Sequence, residues 1–129
     1  MVAKSDVGLD IGTVKSSTLA VGQREATSSG TTTTGTATLN ALVGKITTPS
    51  LTTVAGATHA LTVNNHHLRQ GDYVMVQRIG GTNTAGIPVV QNVVSSNGSF
   101  VINLTNFHAA NAFNGTFEFV FWVLAVQPR

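Results

Sequence analysis

GTFEFVFWVLAV, residues 115–126, is the stretch on which the reading of the fold turns. Successive side chains of a strand point to opposite faces. Phe117, Phe119, Phe121, Val123 and Ala125 therefore share one face, and Glu118, Val120, Trp122, Leu124 and Val126 share the other. The first set predicts the core-facing side of a closing strand. The second set is polar only at Glu118. A strand apolar on both sides is at home inside a layered α/β protein, but this chain offers no helical segment to form another layer. The expectation is that Val120, Trp122 and Leu124 form a subunit interface, covered by another chain or by the protein's own N-terminal arm. The rival expectation is a strand that crosses between sheets or lies under a loop such as 80–86.

The rest of the composition agrees with an all-β chain. Charged residues make up 9% of the 129 residues, against about 25% in an average soluble domain. Thr, Ser, Asn and Gly take their place, with Thr dense from Thr27 to Thr62. Thr and Val suit half-buried pleated surfaces, and Gly and Asn supply turns. One chain of this length predicts one domain with a core large enough to need no staple.

Short strands follow one another from Ala37 onward. ATLNALVGKITT (37–48) alternates around Leu39, Ala41 and Val43 and passes Gly44 into Ile46. SLTTVAGATHALTVNN (50–65) reads as two strands joined at 55–57. GDYVMVQRI (71–79) puts Tyr73, Met75 and Gln77 on one face and Val74, Val76 and Arg78 on the other. IPVVQNVV (87–94) and SFVINLTN (99–106) flank Asn97-Gly98, a strong hairpin signal. That makes about eight strands with turns every 8–12 residues, which predicts a single β-sandwich, jelly-roll-like or immunoglobulin-like in outline, with a closed barrel as the alternative. Residues 107–113 have room for one helical turn at most.

The first 35 residues differ. Half of the charged residues lie between Lys4 and Glu25, and ATSSGTTTTGTAT can bury little. The expected division is an extended N-terminal arm and linker over 1–35 and a sandwich over 36–129. In the arm, Val7, Leu9, Ile11, Val14, Leu19 and Val21 are the candidate anchors for a partner surface. MVAKSDVGLDIG carries no apolar stretch after Lys4, so no leader peptide is expected. The longest apolar run, Phe117 to Val126, is far short of the roughly 18 residues a membrane helix needs, and no membrane partner is expected.

Chemistry-bearing residues are few. The absence of cysteine excludes a disulfide scaffold, a thiol nucleophile and a cysteine-ligated zinc site. Outside the arm only Asp72 and Glu118 carry carboxylates, on different predicted strands, which argues against an acid–base pair. His66-His67 is the one local histidine cluster, and neighbours in an extended segment diverge. Surface or loop positions are the expectation for the histidines, and no metal or other cofactor is expected. GGTNTAG (80–86) has no lysine and no following helix, so it is no phosphate loop. Basic residues are scattered, and a net charge of +2 does not mark a nucleic-acid surface. The expectation is a non-enzymatic protein.

GTATLNALVGKITTPSLTTVAGATHALTVNN, then GTNTAGIPVV, then NAFNGTFEFVFWVL resembles a domain of the structural proteins of tailed bacteriophages. The shared pattern reads T-L-N-x-x-x-G-x-I-T-T-x-x-L-T-T-x-A-G-A, a G-x-x-x-x-G-x-P loop and a closing N-G-T strand, over about residues 35–124. The resemblance implies a place in the virion, where such small β domains serve as capsid cement (decoration) proteins, head fibres and tail-associated proteins. Its first implication is a cement protein on the outer capsid surface, assembled in the bacterial host cytoplasm. Such a protein would be a dimer or trimer bound to the major capsid protein, with the arm bridging neighbouring capsid subunits. The alternative is a head-fibre or tail-associated module that recognises glycan or a host surface through His66, His67, Tyr73, Asn83 and His108. A receptor-binding fibre is usually longer, with repeats or a coiled coil, and neither is present. A small hydrolase or lectin lacks its constellation of residues.

Overall fold

A computed structural model describes residues 24–124, which form eight strands in two four-stranded sheets with no helix. The strands are β1 (Arg24–Thr27), β2 (Thr34–Thr38), β3 (Val43–Thr47), β4 (Thr58–Asn64), β5 (Tyr73–Gly80), β6 (Pro88–Ser96), β7 (Ser99–Asn106) and β8 (Glu118–Leu124). The first sheet has the order β1-β3-β8-β5 and the second β2-β4-β7-β6. The protein is all-β, a β-sandwich.

Each sheet carries one parallel pair at its edge. β1 runs parallel to β3, and β2 runs parallel to β4; all other neighbours are antiparallel. Parallel strands need a crossover connection. Here the crossover is a strand of the opposite sheet: β2 lies between β1 and β3 in the chain, and β3 lies between β2 and β4. The two sheets are thereby interlocked by strands β1 to β4. The β6–β7 hairpin closes at Asn97-Gly98, where Gly98 takes φ +82°, as the sequence predicts.

The core lies between the sheets and is aromatic. Phe117, Phe119 and Phe121 are buried together with Ile46, Leu61, Val63, Phe100, Ile102 and Leu104. Phe100 of the second sheet meets Phe121 of the first at 5.0 Å between ring centroids, which couples the layers directly. Gly44 pairs with Phe121 within the first sheet, and no side chain fits there: a Cβ would lie 2.6 Å from Leu39 Cδ2 and 2.9 Å from Phe121 Cε2.

Two expectations meet a different structure. The sequence predicts an arm and linker over 1–35, yet Arg24–Thr27 and Thr34–Thr38 are strands. The Thr-rich stretch needs little hydrophobic payload because it lies at the sheet edge. Gly35 and Ala37 face inward, Thr34, Thr36 and Thr38 face water, and the ladder to β4 satisfies the backbone. The loop between β1 and β2 is pinned by Thr52 N–H to Thr31 O (2.7 Å), Thr53 Oγ1 to Thr32 O (2.6 Å) and Ala60 N–H to Thr33 O (2.8 Å). Residues 50–65 hold one strand rather than two. Leu51 and Thr53 are buried in a loop that crosses the end of the sandwich. The candidate anchors Val7, Leu9, Ile11, Val14, Leu19 and Val21 lie outside the described residues, as do Ala125 and Val126.

Candidate functional site

The two outer faces of the sandwich differ in chemistry. On the second sheet the register stacks Thr34, Ala60, Asn103 and Asn92 in one row and Thr36, Thr62, Val101 and Val94 in the next. The third row is Thr38, Asn64, Ser99 and Ser96. Hydrogen bonds tie parts of this face, with Asn103 Nδ2 donating to Asn92 Oδ1 at 2.6 Å and the Thr58 and Thr105 hydroxyls 2.7 Å apart. The face is mainly polar, with Val94 its exposed apolar side chain in these rows.

The outer face of the first sheet is apolar over half its length. Val43, Trp122 and Met75 form one cross-strand row, and Leu124 pairs with Tyr73 in the next. Tyr73 is 66% exposed, Met75 57%, Leu124 46% and Trp122 39%. The other half of the face is mixed: Gln77, Val120 and Lys45 share a row, and Glu118 pairs with Thr47. Lys45 Nζ lies 3.6 Å from Glu118 Oε1 at a half-exposed position. A groove of about 290 Å³ runs over this half, lined by Arg24, Glu25, Val43, Gly44, Lys45, Ile79 and Val120. Among the described residues, nothing covers Trp122 or Leu124.

The strands explain why this face exists. β8 is hydrogen-bonded on both sides, to β3 and β5, so its outward residues sit in the middle of the sheet rather than at an edge. β5 is the outer edge. It has no proline, and its register is regular from Tyr73 to Arg78, with a bulge only before Gly80. The corresponding edge of the second sheet, β6, begins with Pro88 and has a bulge between Val90 and Asn92. Proline and bulges are the usual guards of a sheet edge, and β5 has its guard only at the far end.

The remaining chemistry-bearing side chains are spread out and structural. Asp72 is buried and its Oδ2 accepts the Arg69 N–H at 3.0 Å, just before β5 begins; Glu118 lies beside the last residue of β5. The two carboxylates are a strand's length apart. No group of three or more His, Asp or Glu side chains able to hold a metal occurs among the described residues.

The five candidate recognition residues do not converge. His66, His67 and Tyr73 lie at one end of the sandwich, in or next to the β4–β5 connection. Asn83 and His108 lie at the other end, in loops leaving β5 and β7. Asn83 is committed to that loop: its Oδ1 accepts the Asn114 N–H at 2.8 Å and its Nδ2 donates to Ala85 O at 2.7 Å. His108 Nδ1 accepts the N–H groups of Ala110 and Asn111, both at 2.9 Å. The rings of His66 and His67 pack edge to face with centroids 4.4 Å apart.

His59 departs from the expectation of a surface or loop position. It alternates with Leu61 and Val63 on the inward face of β4 and is buried. Its Nδ1 lies 3.0 Å from Thr32 O, which makes Nδ1 the protonated nitrogen, and its Nε2 has no hydrogen-bond partner among the described residues. Burial pushes its pKa below the usual 6.5, opposed in part by the Thr32 bond. The alternation His59-x-Leu61-x-Val63 was the available signal. Sequence reasoning also missed Val43 and Met75 as companions of Trp122, because that requires knowing which strands are neighbours.

Compared with protein-family models, curated proteins and solved structures, the chain matches none.

Proposed function

We propose that the protein is a non-enzymatic structural component of a bacteriophage virion, a cement (decoration) protein on the outer capsid surface. The observation that carries this reading is the division of labour within the sandwich. Asp72, His59 and His108 serve turns, loops or the core and Glu118 pairs with Lys45, while one outer face leaves an apolar patch open among the described residues. Patches of that kind mark association surfaces. The sequence resemblance to phage structural domains supplies the setting.

In this reading the residues before Arg24 act as the arm, with Val7, Leu9 and Ile11 as anchors on the major capsid protein. The arm bridges capsid subunits by apolar burial and strand addition. Many copies on a closed shell give avidity that no single contact supplies. The separation of His66, His67 and Tyr73 from Asn83 and His108 removes support from a single recognition site for glycan or host surface.

Copy number tests the proposal. Gel stoichiometry against the major capsid protein in purified particles should give hundreds of copies. A handful would indicate a fibre or tail position, and absence from particles would overturn the reading.

A further inference from the structure

We infer that the apolar patch on the first sheet is the seat of a second copy of this chain, packed sheet against sheet. The inference does not depend on the virion reading.

Size is the first argument. Val43, Tyr73, Met75, Trp122 and Leu124, with Ile79 farther along β5, leave on the order of 600 Å² of surface open at the exposures observed. A standard protein interface takes about 800 Å² from each partner, and the largest patch on a typical monomer is about 300–600 Å². Shape is the second. The patch crosses three strands, β3, β8 and β5. One extended peptide covers about one strand spacing, ~4.8 Å, whereas a facing sheet covers all three at the ~10 Å spacing of stacked sheets. A second copy brings such a sheet.

Composition is the third. Trp122 sits mid-row between Val43 and Met75, with Tyr73 and Leu124 in the adjoining row. Aromatic and Met side chains at the centre with polar groups at one margin is the make-up of an interface core and rim. The Lys45–Glu118 pair places opposite charges together at that margin, so the face carries no block of like charge to repel its own copy.

Trp122 is the only tryptophan of the chain, so the patch reports on itself. The full-length protein should show a mass of two or more copies by light scattering at micromolar concentration. On dilution, Trp122 emission should shift to the red and acrylamide quenching should rise, in step with the loss of mass. Met75→Glu and, separately, Tyr73→Lys should weaken self-association at least about 30-fold, as expected for residues central to an interface. Both positions are more than half exposed, so the folded monomer should keep its circular dichroism. Thr62→Glu, on the opposite outer face, should leave the association unchanged. Three results would overturn the inference: a monomer at all concentrations, association unchanged by both patch substitutions, or Trp122 shielded in a monomer. The last would mean that another part of the same chain covers the patch.

Discussion

Single residues in this protein are set by what surrounds them rather than by their own chemistry. Asn106 is the clearest case. It is fully buried, donates from Nδ2 to Thr53 O and Asn111 O, and accepts at Oδ1 from the Ile87 and His108 N–H groups. It thereby ties three loops to the end of β7. Asn65 does similar work at the opposite end, with Nδ2 to Ala41 O at 2.6 Å and Oδ1 accepting the His67 N–H. Removing such a hub strands buried donors and acceptors, each costing about 1–3 kcal/mol. Asn106→Ala should therefore lower stability by at least about 2 kcal/mol in denaturant titration. Gly44→Ala is expected to cost about 1–3 kcal/mol, because the added methyl meets Leu39 and the Phe121 ring in a packed core.

His59 gives a pH dependence of known sign. Its folded pKa lies below the unfolded value of 6.5. Above pH 6.5 the ring is neutral in both states and its contribution is complete. As the pH falls below 6.5 the unfolded chain takes up the proton first, so stability declines until the lowered folded pKa is passed. His59→Gln should be less stable at pH 7.5 but lose less melting temperature between pH 7.5 and 5 than the parent. Parallel curves for the two proteins would rule out His59 as the source.

At the scale of elements, the first two strands decide where the sandwich begins. β1 gives four ladder positions to β3, and Ser28 and Ser29 continue with bonds to Thr47 O and Thr36 O. A chain starting at residue 24 should keep its melting temperature close to that of the full protein. A chain starting at residue 31 loses β1 and the edge of the first sheet, and should melt at least about 5 °C lower. If the shorter chain melts with the longer one, β1 contributes nothing to the fold. Under the cement reading, the chain starting at residue 24 should still lose capsid binding, which separates the arm's role from the sandwich's.

At the scale of the whole molecule, the sandwich is asymmetric: a face rich in Thr and Asn lies opposite one that is apolar over half its length. Much of this was written in the sequence. Alternation placed Phe117, Phe119 and Phe121 inward and Val120, Trp122 and Leu124 outward, because strand periodicity is local and independent of partner. Asn97-Gly98 marked its hairpin for the same reason, since the turn's backbone demands are met by two adjacent residues. Neighbourhood was not legible. The pairing of β8 with both β3 and β5 joins residues some forty to eighty positions apart, and the parallel edge pairs run through the opposite sheet. Long-range register is fixed by the packing of the complete core and by backbone ladders, which no window of sequence contains. The sequence by itself therefore determined which side chains of β8 face out. Only the tertiary structure decided that Val43, Met75 and Tyr73 stand beside Trp122 and Leu124, turning a few apolar residues of one strand into a surface.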